Sequence, residues 1–278
     1  MTGFSASWLS LREPADERAR SRELMDLLAR RFAGREDVKL VDIGSGTGST
    51  LRALACALPP ELKQSWRLLD HDASLLAEAR RVLKAWARCV DENDRALVLE
   101  KDGRQIEAVF QRADLSRGVN GLLEDADIVT ASAFFDLVSK EWIDEFCREL
   151  SLRKTPLYAA LTYDGHEIWS PPHAADAAVL GAFHEHQHRD KGFGPSAGPD
   201  AVGRLTSALA AYGYDIEQRP SPWRLGAESR ELISLLAEGT AAAAAETGVV
   251  GKTAVDDWLS SRRQAAACLI GHADILVL

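Results

Sequence analysis

Leu24, Leu27, Leu28 and Phe32 recur at the three-to-four-residue spacing of one helical face, and Gly34 offers a stop. The chain is therefore predicted to begin with an amphipathic helix, with Pro14 placed where a proline is tolerated at a helix start. Val38 to Ile43 is a short apolar run interrupted by Lys39 and Asp42, and glycines follow at once, which predicts a buried strand ending in a tight loop. A helix beginning near Ser49 presents Leu51, Leu54, Ala55 and Leu58 on one face and ends at Pro59 and Pro60. Trp66 to Leu69 reads as the next strand, closed by Asp70, and Leu75, Leu76, Ala79, Val82, Leu83 and Trp86 trace the stripe of a further helix. Strand, loop, helix, strand, helix argues for a parallel sheet with helices on its faces, because parallel neighbours need a crossover.

The alternation continues less regularly. Ala96 to Glu100 and Ile106 to Gln111 flank Asp102-Gly103, a pair whose backbone takes positive φ readily, which predicts a β-hairpin on the sheet edge. Asp127 to Ala131 is another strand, a helix carries Trp142, Ile143, Phe146 and Leu150, and Leu157 to Thr162 is a strand again. From Tyr163 to Pro199 the chain holds Pro171-Pro172, five histidines and several glycines, and is expected to be irregular and surface-facing. Val202 to Tyr212 returns to helix with Gly213 as its stop, and Tyr214 to Gln218 is a strand. Helices over Glu231 to Glu246 and Ala254 to Cys268 precede a closing strand from Ala273 to Leu278. No internal repeat is present.

Composition narrows the partners. With 46% hydrophobic and 27% charged residues the chain lies in the globular range. Its 33 Lys and Arg against 42 Asp and Glu give a formal charge of −9, which repels phosphate backbones and anionic membrane surfaces, so neither nucleic acid nor membrane is expected as a partner. Cys56, Cys89, Cys147 and Cys268 form no Cys-x-x-Cys pair, which points away from a zinc site and a disulfide framework. Met1 to Ser10 lack a basic segment followed by a long apolar stretch, and no apolar run approaches the ~20 residues that span a bilayer. A cytoplasmic protein with reduced thiols is the expectation; a homodimer is left open.

Asp42, Gly44, Gly46 and Gly48 stand at alternate positions directly after a strand and before a helix. Glycines there let the backbone turn sharply and let a ligand approach without a Cβ in the way, although such a turn also occurs for structural reasons alone. Asp70 closes the following strand, where a carboxylate can accept hydrogen bonds from both hydroxyls of a ribose. The alternative role for Asp70 is a helix N-cap, with Asp72 the competing cap.

These residues resemble those of the class I S-adenosylmethionine-dependent methyltransferases. Val41-Asp42-Ile43-Gly44-Ser45-Gly46-Thr47-Gly48 looks like the family's first motif, and Leu69-Asp70 with Leu75, Leu76 and Ala79-Arg80 resembles its second-strand acid and ensuing helix. The resemblance implies a Rossmann-like α/β fold, a seven-stranded, mostly parallel sheet with helices on both faces, to which this chain's own pattern adds helices late in its length. It implies S-adenosylmethionine as cofactor, with Asp42, Gly44, Ser45, Gly46 and Gly48 in the loop that approaches its methionine part, and Asp70, with His71 beside it, at its ribose. Asp114 would lie beside the adenine with Leu115 supplying a backbone amide, and Ala131 and Ser132 would lie near the sulfonium. On this reading residues 1–278 form one domain: a helical segment at 1–37, a cofactor-binding core at 38–162, a lid or substrate loop at 163–200, and a C-terminal half at 201–278. Family members join the last two strands by a short connection, whereas here two helices intervene between Tyr214 and Leu278.

Dinucleotide-binding oxidoreductases use a similar loop and acid, but their third glycine falls three positions after the second, where this chain has Ser49; the spacing favours the methyltransferase. A third reading is a protein that keeps the fold and the cofactor but has lost catalysis. Methyl transfer to a small-molecule acceptor leads, and a hydroxyl or ammonium acceptor would need a general base. Candidate bases lie after the fourth and fifth strands: Asp136, which can equally cap a helix, Tyr163 and His166. Phe134 and Phe135 either wall the acceptor or belong to the core. His184, His186 and His188 would share a face on a strand and spread apart on a helix, and a solvated or lid-forming segment is favoured over a metal site. Lys191-Gly192-Phe193-Gly194 makes a shaped loop that closes over the acceptor or simply turns the chain.

Overall fold

The computed structural model describes residues 4–278. Two helices, α1 (Ala6–Ala19) and α2 (Arg22–Arg31), lead into β1 (Asp37–Ile43), α3 (Ser49–Ala55), β2 (Lys63–Asp70) and α4 (Ala73–Trp86). Three strands follow, β3 (Arg88–Glu92), β4 (Ala96–Lys101) and β5 (Arg104–Arg112), then β6 (Ile128–Ser132), α5 (Lys140–Arg153) and β7 (Leu157–Ser170). The remainder is α6 (Asp176–Gln187), α7 (Ala201–Ala211), β8 (Ile216–Pro220), β9 (Trp223–Leu225), α8 (Arg230–Thr247), α9 (Lys252–Arg262) and β10 (Ala267–Val277).

All ten strands join one sheet in the order β3-β4-β5-β2-β1-β6-β7-β10-β8, with β9 on the remaining stretch of β10. The five strands from β5 to β7 are mutually parallel, and β10 and β8 close one side antiparallel. The sheet thus has ten strands where seven were expected. The additional ones, β3, β4 and β9, are short edge additions, and the predicted hairpin joins β4 to β5 with both Asp102 (φ 49°) and Gly103 (φ 79°) left-handed.

Residue alternation distributes the core over both faces. Val38 and Leu40 of β1 pack with α2, α3 and α4, beside Leu28, Leu51 and Leu83, whereas Val41 and Ile43 pack with α5 and α7, beside Phe146 and Leu205. A third cluster gathers Trp169, Trp223 and Trp258 where α6, α8 and α9 pack on the far ends of β7 and β10.

The leading region is two helices broken at Arg20–Ser21, each capped by a serine: Ser5 Oγ accepts from Trp8 N and Ser21 Oγ from Leu24 N. Pro14 lies inside α1 and does not start it. The buried residues of α1 are Arg12, Ala15 and Asp16, so no apolar stripe announces this helix. The expectation of an irregular Tyr163–Pro199 is overturned: β7 runs on to Ser170 and α6 occupies 176–187. The extension of β7 is stabilised by an equally unexpected one of β10, which begins at Ala267, pairs Ala267 with Ser170, and ends the preceding helix at Arg262 instead of Cys268.

Between Ala273 and Ile275 the β10–β7 register shifts, and opposite it Leu161 adopts a positive φ of 54°. Asp274, fully buried, resolves the broken ladder: its Oδ1 accepts from Leu161 N (2.8 Å), and its Oδ2 from Tyr158 Oη (3.0 Å) and from Ser21 N at the start of α2 (2.8 Å). Asp274→Ala leaves two buried donors and one half-buried donor unpaired and is expected to cost about 3–5 kcal/mol in urea denaturation. Asp274→Asn, which keeps one acceptor oxygen, should cost less.

Candidate active site

The loop from β1 to α3 is built on three left-handed glycines, Gly44 (φ 62°), Gly46 (φ 52°) and Gly48 (φ 77°). Ser45 N donates to Leu69 O (3.0 Å) and Gly46 N to Asp70 Oδ2 (2.9 Å), which folds the loop over the end of β2. The space above the glycines is partly occupied. A Cβ on Gly44 would meet the Phe134 ring at 2.6 Å and one on Gly46 would meet Leu9 Cδ1 at 3.1 Å, while one on Gly48 would make an ordinary contact with Leu68 at 3.6 Å.

A cavity of about 310 Å³ opens beside this loop, at the carboxyl ends of the parallel strands, where β1 is flanked by β2 and β6 and the chain order reverses. Of the residues singled out in the sequence, Gly44, Ser45, Gly46, Asp70, His71, Asp114, Leu115 and Ser132 border it. Asp42, Gly48 and Ala131 do not. Asp42 is fully buried under the loop, with Oδ1 accepting from Thr130 Oγ1 at 2.7 Å. Gly48 turns into the start of α3, and Ala131 is covered within β6.

Asp70 is 5% exposed. Its Oδ1 accepts from Asp72 N (2.9 Å) and its Oδ2 from Gly46 N, leaving each oxygen a further lone pair, and the carboxylate borders the cavity. The cap of α4 is Asp72, whose Oδ1 accepts from Ser74 N at 2.7 Å; Asp70 does not serve that role. His71 Nδ1 lies 3.4 Å from Asp70 Oδ1. Asp114 accepts from Ser116 Oγ (2.6 Å) and Ser116 N (3.1 Å), bonds that hold its carboxyl below the usual range. Ser132 Oγ accepts from Arg20 Nη2 at 3.0 Å.

Burial pushes the Asp42 carboxyl up to about 7, against the opposing hydrogen bond from Thr130 and the charge of Arg20. None of Asp136, Tyr163 and His166 borders the cavity. Asp136 is buried, its Oδ1 has no hydrogen-bond partner, and burial raises its pKa. Tyr163 Oη sits beneath α6, 3.0 Å from His184 Nε2 and 3.1 Å from Glu167 Oε1. His166 is exposed and lies 3.1 Å from Asp164 Oδ1. Because α6 is a helix, the alternating histidines diverge: His184 meets Tyr163, His186 meets Glu246 and His188 meets Ser196 O. Among the described residues no group of three or more His, Cys, Asp or Glu is placed to hold a metal ion, and no helix is long and apolar enough to cross a membrane.

One part of the wall escapes the sequence reading, and for another the sequence leaves wall and core, or wall and turn, as alternatives. Phe4, Leu9, Arg12 and Asp16, at and within α1, form the first. An i,i+4 Arg–Asp pair on a helix lacking an apolar stripe reads as a solvated face, and only the structure shows it packed against Trp223. Phe134, Leu137 and the turn Lys191–Phe193 form the other, which places that turn against the cavity. Phe134 is both wall and core, edge-on to Phe135, Trp142 and Phe193.

Solved structures share this architecture. A cyclopropane-fatty-acyl-phospholipid synthase-like protein from Lactobacillus casei is 13% identical, with 96% of this chain and 99% of that one covered at a TM-score of 0.52. The YcgJ protein from Bacillus subtilis is 12% identical, with 92% and 98% covered at 0.50. Others are S-adenosylmethionine-dependent methyltransferases; one, from Geobacter sulfurreducens and solved with S-adenosyl-L-homocysteine, is 14% identical, with 99% of each chain covered at 0.46. No protein-family model matches the chain, and no curated protein does. The fold is therefore the α/β arrangement anticipated, a mostly parallel central sheet flanked by helices.

Gly44→Ala combines a left-handed backbone with the Phe134 contact and should lose about 2 kcal/mol or more in denaturation, whereas Gly48→Ala carries only the backbone penalty, about 1 kcal/mol. A pH effect follows from Asp42. Its carboxyl ionises near 3.8 when unfolded and near 7 when folded, so between those values the folded state binds the extra proton. The stability this contributes is complete below about pH 4 and is lost as the pH rises to about 7. Asp42→Asn should flatten that decline, by at most about 4 kcal/mol, when denaturation curves at the two ends of the range are compared.

Proposed function

We propose that the cavity binds S-adenosylmethionine and that the chain transfers its methyl group to a small-molecule acceptor. The observation that supports this most is the Asp70 carboxylate, fixed at the cavity's edge by two backbone amides with lone pairs to spare, beside a loop of left-handed glycines. Such a carboxylate suits a pair of ribose hydroxyls, and a loop short of side chains suits close approach by the rest of the cofactor. On this reading Asp114 and the Leu115 backbone, which line the same cavity as Asp70, would receive the adenine, and Gly44, Ser45 and Gly46 would underlie the methionine part, with Ser132 also on the cavity wall.

When bound, S-adenosylmethionine supplies an electrophilic methyl group on a sulfonium. The chain's own residues contribute alignment and exclusion of water: Phe4, Leu9, Phe134 and Phe193 give the cavity an apolar wall. Displacement at a methyl carbon depends chiefly on such alignment, and Asp136, Tyr163 and His166 lie off the cavity wall.

Calorimetric titration with S-adenosylhomocysteine tests the proposal. One molecule should bind per chain, NADH should not bind, and Asp70→Asn should weaken binding by about tenfold or more while the circular dichroism spectrum is unchanged. Failure of the wild-type chain to bind S-adenosylhomocysteine would overturn the reading.

A further inference from the structure

Among the described residues, Lys191 is the one Lys or Arg of the wall whose charge the fold leaves without a close partner. It borders the cavity half-buried, and no carboxylate comes within ion-pair distance of its Nζ. Arg12, the other cation of the wall, is already neutralised. Its Nε and Nη2 each lie 3.0 Å from an Asp16 oxygen, and its guanidinium lies 4.7 Å over the Trp223 ring, whose Nε1 donates to the same Asp16 at 3.0 Å. Asp136 is near enough to act on Lys191 through space, but it is buried behind the wall and forms no ion pair with it. A partly desolvated ammonium with three donors and no acceptor is unfavourable unless something brings an acceptor to it.

The turn that carries Lys191 is a built one. Asp190 Oδ1 accepts from Gly192 N (2.7 Å) and Gly194 N (3.0 Å), Asp190 bridges to Pro195, and Ser196 bridges to Ser139. Phe193 anchors it from within, edge-on to both Phe134 and Trp142 at 6.0 Å. Sheet order then fixes its side. Asp70 and Asp114 follow β2 and β5 on one flank of β1, whereas Phe134 and the turn it holds stand beyond β6 on the other. A nucleoside held at Asp70 leaves the Lys191 end for the second substrate.

We propose that the methyl acceptor is a small organic acid with an apolar body, its carboxylate bound by Lys191 Nζ and its body against Phe134 and Phe193. The proposal rests on the methyltransferase reading and names the acceptor class of that same site. A cationic acceptor would set like charges together at Lys191, and a neutral one would offer the ammonium only an uncharged oxygen, a weaker partner than a carboxylate.

The test is calorimetry on the full chain saturated with S-adenosylhomocysteine, titrated with benzoate, 4-hydroxybenzoate, phenylacetate and hexanoate and with the four matching amides. At least one acid should bind about tenfold or more tightly than its amide, as a charge-assisted hydrogen bond requires. Lys191→Met should abolish that preference, Lys191→Arg should retain most of it, and the affinity for S-adenosylhomocysteine should stay the same in both. Amides binding as well as acids, no acid binding at all, or acid binding unchanged in Lys191→Met would overturn the proposal. So would a matching loss of S-adenosylhomocysteine affinity, which would give Lys191 to the cofactor's own carboxylate. Repeating the acid titrations without the nucleoside separates the two readings, since failure to bind S-adenosylhomocysteine refutes the cofactor while acid discrimination by Lys191 is still measured.

Discussion

The amide of Gly46 donates to the carboxylate of Asp70, and the shape of the cavity depends on that bond. A loop of three left-handed glycines has few side chains of its own to hold it. The Asp70 carboxylate supplies the restraint by taking the Gly46 amide on one oxygen and the Asp72 amide on the other. The same group ties the loop to the start of α4, through the residue that caps that helix, and still turns unused lone pairs toward the cavity. Removing the acid would therefore loosen the wall as well as subtract an acceptor, a coupling that follows from one charged group serving two backbone segments.

What the sequence disclosed was whatever repeats locally. The parallel centre was legible because strands β1, β2, β6 and β7 are apolar runs separated by helical stripes, and because Asp102-Gly103 can scarcely be anything but a hairpin turn. The loop and Asp70 were legible because glycine spacing and a strand-ending acid are local. What escaped depends on distant partners. Residues 163–170 carry Asp164, His166 and Glu167 and read as loop, yet they are strand because β10 supplies a ladder a hundred residues later. Helix α1 buries Arg12 and Asp16 against Trp223, and no periodicity of apolar residues can announce a buried ion pair.

The late helices find a use in this long antiparallel pair. Extended β7 and β10 reach beyond the parallel centre and would expose Trp169 and Cys268 if left bare; α6, α8 and α9 cover them, with Trp258 edge-on to Trp169 at 5.6 Å. Trp258 Nε1 also donates to Asp176 at the start of α6, and Arg262 Nη1 to Pro171 O, so the inserted helices are fastened to the chain they cover by polar bonds as well as apolar area. None of their residues borders the cavity, and their role in the fold is to complete this outlying core.

Strand β10 follows β8 and β9 in the chain but lies between β7 and β8 in the sheet. A ribosome that has released residues 216–225 has made two strands with nothing to pair with. They wait through α8 and α9 until residues 267–277 arrive and slot in beside β7. Trp223 waits with them, and with it the support for Arg12 and Asp16, so the earliest helix of the chain gains its final seat among the last. Pairings of such long range are slow to close, and in this protein they seat Trp223 against α1, which carries Arg12 and Asp16 of the cavity wall. A nascent chain can possess the glycine loop and Asp70 well before α1 is fixed beside them.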